Sequence, residues 1–185
     1  GEKPPYSYVT TPFLIDVRVL VSYPRLMKRV AKQYARVLGA IRYDRMAAIP
    51  YAALPIVATV SMINRKPWIY PRREVKRYGT KNPIEGEFFK GERIVVLDDT
   101  VTTGGTLTVA IRKLQEHGLQ IRDVVLLVDR GEDGIPKLQK QGIRVHALYH
   151  IDDMLEALCA SQKISKEQLV SIQNSHEELK ESVKV

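Results

Sequence analysis

Apolar positions in this chain recur at two spacings, and the places where one gives way to the other predict its elements. Uninterrupted apolar runs at 46–49, 94–97 and 124–128 read as strands covered on both faces. Further strands are expected at 13–17, 68–70 and 143–149. Between them, Leu26, Met27, Val30, Ala31, Tyr34 and Val37 share one face of a helix over about 24–38, opened by Pro24. Leu107, Ala110, Ile111 and Leu114 mark another, stopped by Gly118. Helices are also expected at about 54–63, at 133–141 with Pro136 in the first turn and Gly142 after it, and at 152–160. Ser165-Lys-Glu-Gln168 is a capping box opening a last helix whose face includes Leu169, Ile172 and Leu179. Strands alternating with helices imply an α/β fold with a doubly wound, mainly parallel sheet flanked by helices.

Residues 72–90 break this rhythm. They are charged, contain Gly79, Pro83 and Gly86, and show no core periodicity. At about nineteen residues the stretch exceeds an ordinary connection, which suggests a functional lid. The expected organisation is an irregular segment at 1–12, one domain at 13–160, and a helical tail at 161–185 packed on that domain. Gly1 in place of methionine suggests a trimmed start or a domain cut from a longer polypeptide.

Composition narrows the picture modestly. A chain of 185 residues, 44% hydrophobic and 27% charged, suits an ordinary soluble protein. The apolar stretch 46–63 is broken by Pro50 and Pro55 and is not read as a membrane span, and no signal peptide is visible, so a cytoplasmic location is expected. Cys159, the single cysteine, leaves no internal disulfide. His117, His146, His150 and His176 show no ligand spacing, so no residue is assigned as a metal ligand. The net charge of +8 points to nucleic acid or to a polyanionic small ligand. No RNA-binding signature is present, and the basic residues are scattered apart from a cluster at 72–81.

The candidate chemistry lies in Arg93-Ile-Val-Val-Leu-Asp-Asp-Thr-Val-Thr-Thr-Gly-Gly-Thr106. A buried strand ends at Asp98 and Asp99, a Thr/Gly turn follows, and a helix begins. That order presents free backbone N–H groups at a helix N-terminus, a ready phosphate site. Gly104 and Gly105 allow close backbone approach, and Thr102, Thr103 and Thr106 add hydroxyl donors. No Gly-Lys-Ser/Thr follows, so this is not a P-loop, nor is it a G-x-G-x-x-G turn. The two acids suit vicinal ribose hydroxyls and the loop suits a 5′-phosphate. A plain βα turn with an exposed acidic pair is the alternative, and the length and order of the stretch count against it.

The stretch closely resembles the 5-phosphoribosyl 1-pyrophosphate (PRPP) signature of type I phosphoribosyltransferases. Tyr43-Asp-Arg-Met-Ala-Ala-Ile-Pro-Tyr-Ala-Ala-Leu-Pro55 resembles the pyrophosphate loop of orotate phosphoribosyltransferases, particularly those fused to orotidylate decarboxylase. Ile69-Tyr-Pro-Arg-Arg-Glu-Val-Lys-Arg-Tyr-Gly-Thr80 is similar to their mobile catalytic loop, and Val124-Val-Leu-Leu-Val-Asp-Arg130 to the strand whose arginine meets orotate. The resemblance covers roughly residues 13–160 and implies the type I phosphoribosyltransferase fold with a small hood. It implies that orotate receives the phosphoribosyl group of PRPP, in pyrimidine (UMP) biosynthesis. Asp98 and Asp99 would hold the ribose, while Thr102, Thr103, Gly104, Gly105 and Thr106 would cradle the 5′-phosphate. Pro50, Tyr51, Ala52 and Ala53 would form the pyrophosphate loop. Arg72, Arg73, Lys76 and Tyr78 would close over PRPP, with Lys76 the catalytic candidate beside Arg72, Asp98 and Asp99, and Arg130 would pair with the orotate carboxylate. Mg²⁺ held mainly through PRPP, and a homodimer whose loops serve the partner's site, are further implications. The family's N-terminal helix and Lys-Ser-Gly motif are not visible before Phe13, and Arg73 stands where lysine is common. Two other functions remain open: a phosphoribosyltransferase for another base, and a catalytically silent PRPP-sensing regulator that binds nucleic acid.

Overall fold

The computed structural model describes residues 13–73 and 82–182. These fall into two compact units, one of residues 17–150 and one of residues 13–16 with 151–182. In the larger unit six strands lie in the order β3-β2-β1-β4-β5-β6. They are β1 (Arg45–Ala48), β2 (Trp68–Pro71), β3 (Ile84–Glu85), β4 (Arg93–Val101), β5 (Gln120–Asp129) and β6 (Arg144–His150). Every pairing is parallel except β2 with β3. The expected doubly wound, mainly parallel sheet is thus the observed one.

Successive residues of β4 face opposite ways, and each face is covered. Ile94 and Val96 join Val124 and Leu126 in one cluster with Leu107, Ala110, Ile111 and Leu114 of α3 (Gly105–Glu116) and Leu138 of α4 (Gly134–Lys140). Two further helices, α1 (Pro24–Leu38) and α2 (Ala53–Asn64), pack against each other. Met27, Ala31, Tyr34 and Leu38 are the buried stripe of α1, at spacings of four and three residues. In the smaller unit, α5 (Ile151–Ala160) packs with α6 (Lys166–Ser182). The capping box forms as expected: the Ser165 N–H donates to Gln168 Oε1 at 2.8 Å, and the Gln168 N–H to Ser165 Oγ at 3.1 Å.

Three expectations need correction. Residues 13–16 form no strand, and Val17–Ser22 is a 3-10 helix. Val17 and Leu20 are buried three residues apart, so β-branched composition imitated a strand where the burial period is three. The stretch expected to be loop over 72–90 contains β3, whose Ile84 is fully buried; two residues are too few to show periodicity. Finally, β4 runs past Leu97, because Asp98, Thr100 and Val101 pair with Leu126, Val128 and Asp129 of β5. The acidic pair belongs to the strand itself.

At the amino ends of the parallel strands, charges are matched. Arg93 forks onto Asp44 at 2.9 and 3.1 Å, Arg45 onto Glu92 at 2.9 and 3.0 Å, and Arg144 onto Asp123 at 2.7 and 2.9 Å. The Arg93 side chain, bonding to Asp44, holds that carboxyl down to about 2. At the carboxyl ends the strand order reverses between β1, which leads to β2 and β3, and β4, which leads to β5 and β6. A crevice opens at such a reversal, outside the strands' carboxyl ends.

Candidate active site

The crevice is built from the ends of β1, β4 and β5. Asp98 lies on β4 at 8% exposure, and Asp99 beside it is half-buried. The Asp99 N–H donates to Asp98 Oδ1 at 2.9 Å. Burial, and next the charge of Asp99, hold the Asp98 carboxyl well above the usual carboxylate range, while Arg73 opposes them. Beneath the pair, the fully buried Tyr34 of α1 donates its hydroxyl to the main-chain oxygen of Asp98 at 2.7 Å. Burial, followed by the charges of Asp98 and Asp99, keeps that phenol well above its ordinary value, so it stays a donor.

After β4 the chain turns through residues 102–104, with Gly104 at φ +76° as the residue before α3. Few residues other than glycine adopt that conformation. The first bond of the helix runs from the Thr108 N–H to Gly104 O at 2.9 Å. The amides of Gly105, Thr106 and Leu107 therefore precede the helix's own ladder, with the positive end of its dipole behind them. Thr103, Gly105 and Thr106 are exposed and Thr102 is half-buried, so anion donors line an open turn.

At the end of β1, Pro50 and Tyr51 are joined by a cis peptide, Tyr51 is exposed and Ala53 is buried. The Arg73 guanidinium lies 5.1 Å from the centre of the Tyr51 ring. Arg73 thus lies beside the turn after β1, and its charge acts on Asp98. Arg72 is held otherwise: its side chain pairs with Glu85, and its carbonyl accepts from Lys113 Nζ at 2.7 Å. Lys76 and Tyr78 lie outside the described residues. Arg130, just past the end of β5, is buried, and its Nε meets Glu132 Oε1 at 3.1 Å.

Sequence reasoning missed three participants. Tyr34 was read as part of an apolar stripe, Glu132 carried no motif, and Gly134, whose N–H donates to Thr102 O at 2.8 Å, looked like a helix start. Tyr34 and Gly134 act across fold contacts that local pattern does not carry, whereas Glu132 stands two residues from Arg130. As for a metal, no group of three or more His, Cys, Asp or Glu among the described residues is placed to hold one. The two acids offer hard oxygen donors but an incomplete shell, which suits an ion that a phosphorylated ligand largely surrounds.

Comparison with known proteins adds four findings. A family model described as the phosphoribosyl transferase domain matches residues 29–148. The bifunctional enzyme PyrF/PyrE of Nostoc sp. is 34% identical over 161 residues, covering 87% of this chain and 34% of that protein. The orotate phosphoribosyltransferase of Pyrococcus abyssi is 33% identical over 153 residues, covering 81% of this chain and 84% of that one. Among solved structures, UMP synthase of Leishmania donovani superposes with a TM-score of 0.86 at 39% identity, over 96% of this chain and 39% of that one. The chain therefore spans about a third of the length of the bifunctional proteins it matches and most of the length of a single-function one.

Proposed function

This chain belongs to the phosphoribosyltransferase family, and we propose that it moves the 5-phosphoribosyl group from PRPP to orotate, giving orotidine 5′-monophosphate and pyrophosphate for UMP synthesis. The observation that carries the reading is the placement of an acidic pair and an open Thr/Gly turn at the sheet's switch point, with a buried arginine one strand away. Donor sugar, donor phosphate and an anionic base would each meet a matching group there.

The reaction breaks the bond from C1 of the ribose to pyrophosphate and forms one to a ring nitrogen. Its transition state gathers positive charge at the sugar, and the leaving group is already stable, so orientation and charge neutralisation carry most of the catalysis. Asp98 and Asp99 would orient the ribose, and residues 102–106 would hold the 5′-phosphate by their amides and hydroxyls. Arg73 and the turn at Pro50, Tyr51, Ala52 and Ala53 would face the pyrophosphate, with Lys76 stabilising it as it leaves, Tyr78 ordering the closed loop and Arg72 fixing the loop's root. Mg²⁺ bound with PRPP would neutralise phosphate charge, held by the carboxylates of Asp98 and Asp99 together with the ligand's own oxygens. Arg130 would take the orotate carboxylate in a two-point grip that lysine lacks.

The cytoplasm as location, a homodimer, and fusion to an orotidylate decarboxylase domain belong to the same proposal. The bifunctional relatives support the fusion, and no helix among the described residues is long and apolar enough to cross a membrane. The dimer has its own test. If the loop carrying Lys76 serves the partner's site, mixing an inactive Lys76→Ala variant with an inactive Asp98→Asn/Asp99→Asn variant should restore about a quarter of wild-type activity, since half the dimers then hold one complete site. No recovery after subunit exchange would place each loop over its own subunit.

Asp98 also supplies a pH test. Its folded carboxyl is raised, and a nearby cation or hydroxyl donor favours the ionised form. Binding of Mg²⁺–PRPP is therefore expected to release protons and to strengthen as pH rises from the ordinary carboxylate range through the raised Asp98 value. Calorimetry in buffers of different ionisation enthalpy reads this directly, after correction for protons released by PRPP and Mg²⁺ alone; identical heats would count against it. The activity itself is tested by loss of orotate absorbance with PRPP and Mg²⁺, with uracil and purine bases in parallel. Turnover with orotate alone supports the assignment. Turnover with another base, or salt-sensitive nucleic-acid binding without turnover, would replace it.

A further inference from the structure

We propose that Gly134 is a positioning residue for the phosphate turn: its lack of a side chain lets the start of α4 lie against the turn's backbone and hold its amides in binding orientation. The inference rests on the phosphoribosyl-transfer reading and deepens it, since the group positioned would be the 5′-phosphate monoester of the donor. A methyl group on Gly134 would lie 2.4 Å from Thr102 O, 2.5 Å from Val101 Cγ2 and 3.0 Å from Gly104 N. Two of these three atoms are backbone, so no rotamer change relieves the overlap; the turn or the helix must move. Gly134 does not have a left-handed φ, so space rather than conformation demands glycine there. The approach is mutual, because a methyl group on Gly104 would sit 3.2 Å from Gly134 Cα and 3.3 Å from its carbonyl oxygen.

The contact also has a direction. The Gly134 N–H donates to Thr102 O at 2.8 Å, so that carbonyl points at α4. The peptide joining Thr102 to Thr103 is trans, which turns the Thr103 N–H the opposite way, away from α4. Gly134 thus fixes the first donor of the phosphate nest from behind without touching the ligand. Anion donors work within a few tenths of an ångström of 2.9 Å, and a displacement of the kind a methyl group forces removes the turn from that range.

The test compares Gly134→Ala with the wild type in steady-state kinetics and in amide hydrogen exchange over residues 101–108. The expected result is a rise in KM for PRPP of about 10- to 100-fold, with KM for orotate within about twofold and faster exchange confined to the turn. Unchanged KM for PRPP and unchanged exchange would overturn the proposal, as would an equal loss in every parameter, which a merely structural role produces. Should the wild type show no turnover with orotate, the activity assignment fails on its own. Calorimetric titration with Mg²⁺–PRPP then reads Gly134 without any base, weaker binding by the variant supporting the proposal and equal binding sinking it. Should Gly134→Ala show no cooperative melt, Val101→Ala loosens the same contact from the side of the turn. It is expected to give the same pattern at smaller amplitude, and wild-type affinity for PRPP in that variant would be the contrary result.

Discussion

Replacing Asp98 and Asp99 together by asparagine is expected to abolish Mg²⁺–PRPP binding while leaving the fold as stable as before, or more so. The reason lies in the opposing demands on Asp98. It is buried beside a second carboxyl, and burial followed by that neighbour's charge raises its pKa well above the usual range. A group with a raised folded carboxyl contributes stability at acid pH that is lost as pH rises through its folded value. Asparagine keeps the shape, carries no charge to desolvate, and should flatten that part of the stability–pH curve. What it cannot do is neutralise a cation or accept from two ribose hydroxyls as a carboxylate does. Calorimetry with Mg²⁺–PRPP and thermal unfolding at several pH values check both halves. Wild-type affinity in the double variant would remove the acids from the site, and a large drop in melting temperature would mean that they serve the fold instead.

Arg130→Ala should raise the orotate concentration for half-maximal rate by about 30-fold to several thousand-fold, the range for removing one partner of a desolvated charge pair. The turnover number should fall less, because PRPP and the groups around its reacting carbon are untouched. Arg130→Lys is expected to recover little of the loss, since a point charge cannot reproduce the planar fork. The guanidinium is buried against Glu132 at 3.1 Å, so its removal also takes a partner from a half-buried carboxylate and lowers stability. Arg130→Ala combined with Glu132→Gln separates the two effects: stability should return and orotate affinity should not. If the single variant keeps wild-type affinity for orotate, Arg130 is a structural ion pair and the base is recognised elsewhere.

Much of this arrangement was legible in the residues because its signals are local. The phosphate turn is contiguous, from the apolar run at 94–97 through the two acids to Gly104 and Gly105, so strand, turn and helix could be placed from order alone. The capping box at Ser165 is equally self-contained. What escaped depends on partners far apart in the chain. Tyr34 reaches Asp98 across 64 positions, and its hydroxyl is indistinguishable in sequence from that of any aromatic on an apolar stripe. Arg72 looked like a ligand-facing charge, but β3 delivers Glu85 to it, and a two-residue strand leaves no period to read. The stretch Val17–Ser22 misled for the opposite reason, since its composition favours extension while Val17 and Leu20 bury at a spacing of three. The close fit of Gly134 against the phosphate turn is a matter of tenths of an ångström, which no pattern of residue types encodes.

The matched charges at the amino ends of the strands have a bearing on how this protein could be altered. Arg93 with Asp44, Arg45 with Glu92 and Arg144 with Asp123 lie at the opposite end of the sheet from the groups assigned to substrate. Selection for heat or acid tolerance can therefore work on that rim without disturbing the crevice. The carboxyl rim has no such latitude on the proposed function, because its crowded acids and side-chain-free contacts would meet the ligand. Lineages adapting to different habitats should diverge at one end of the sheet and hold still at the other, and a directed-evolution library restricted to the amino rim should yield hardier variants whose kinetics stay close to the parent's.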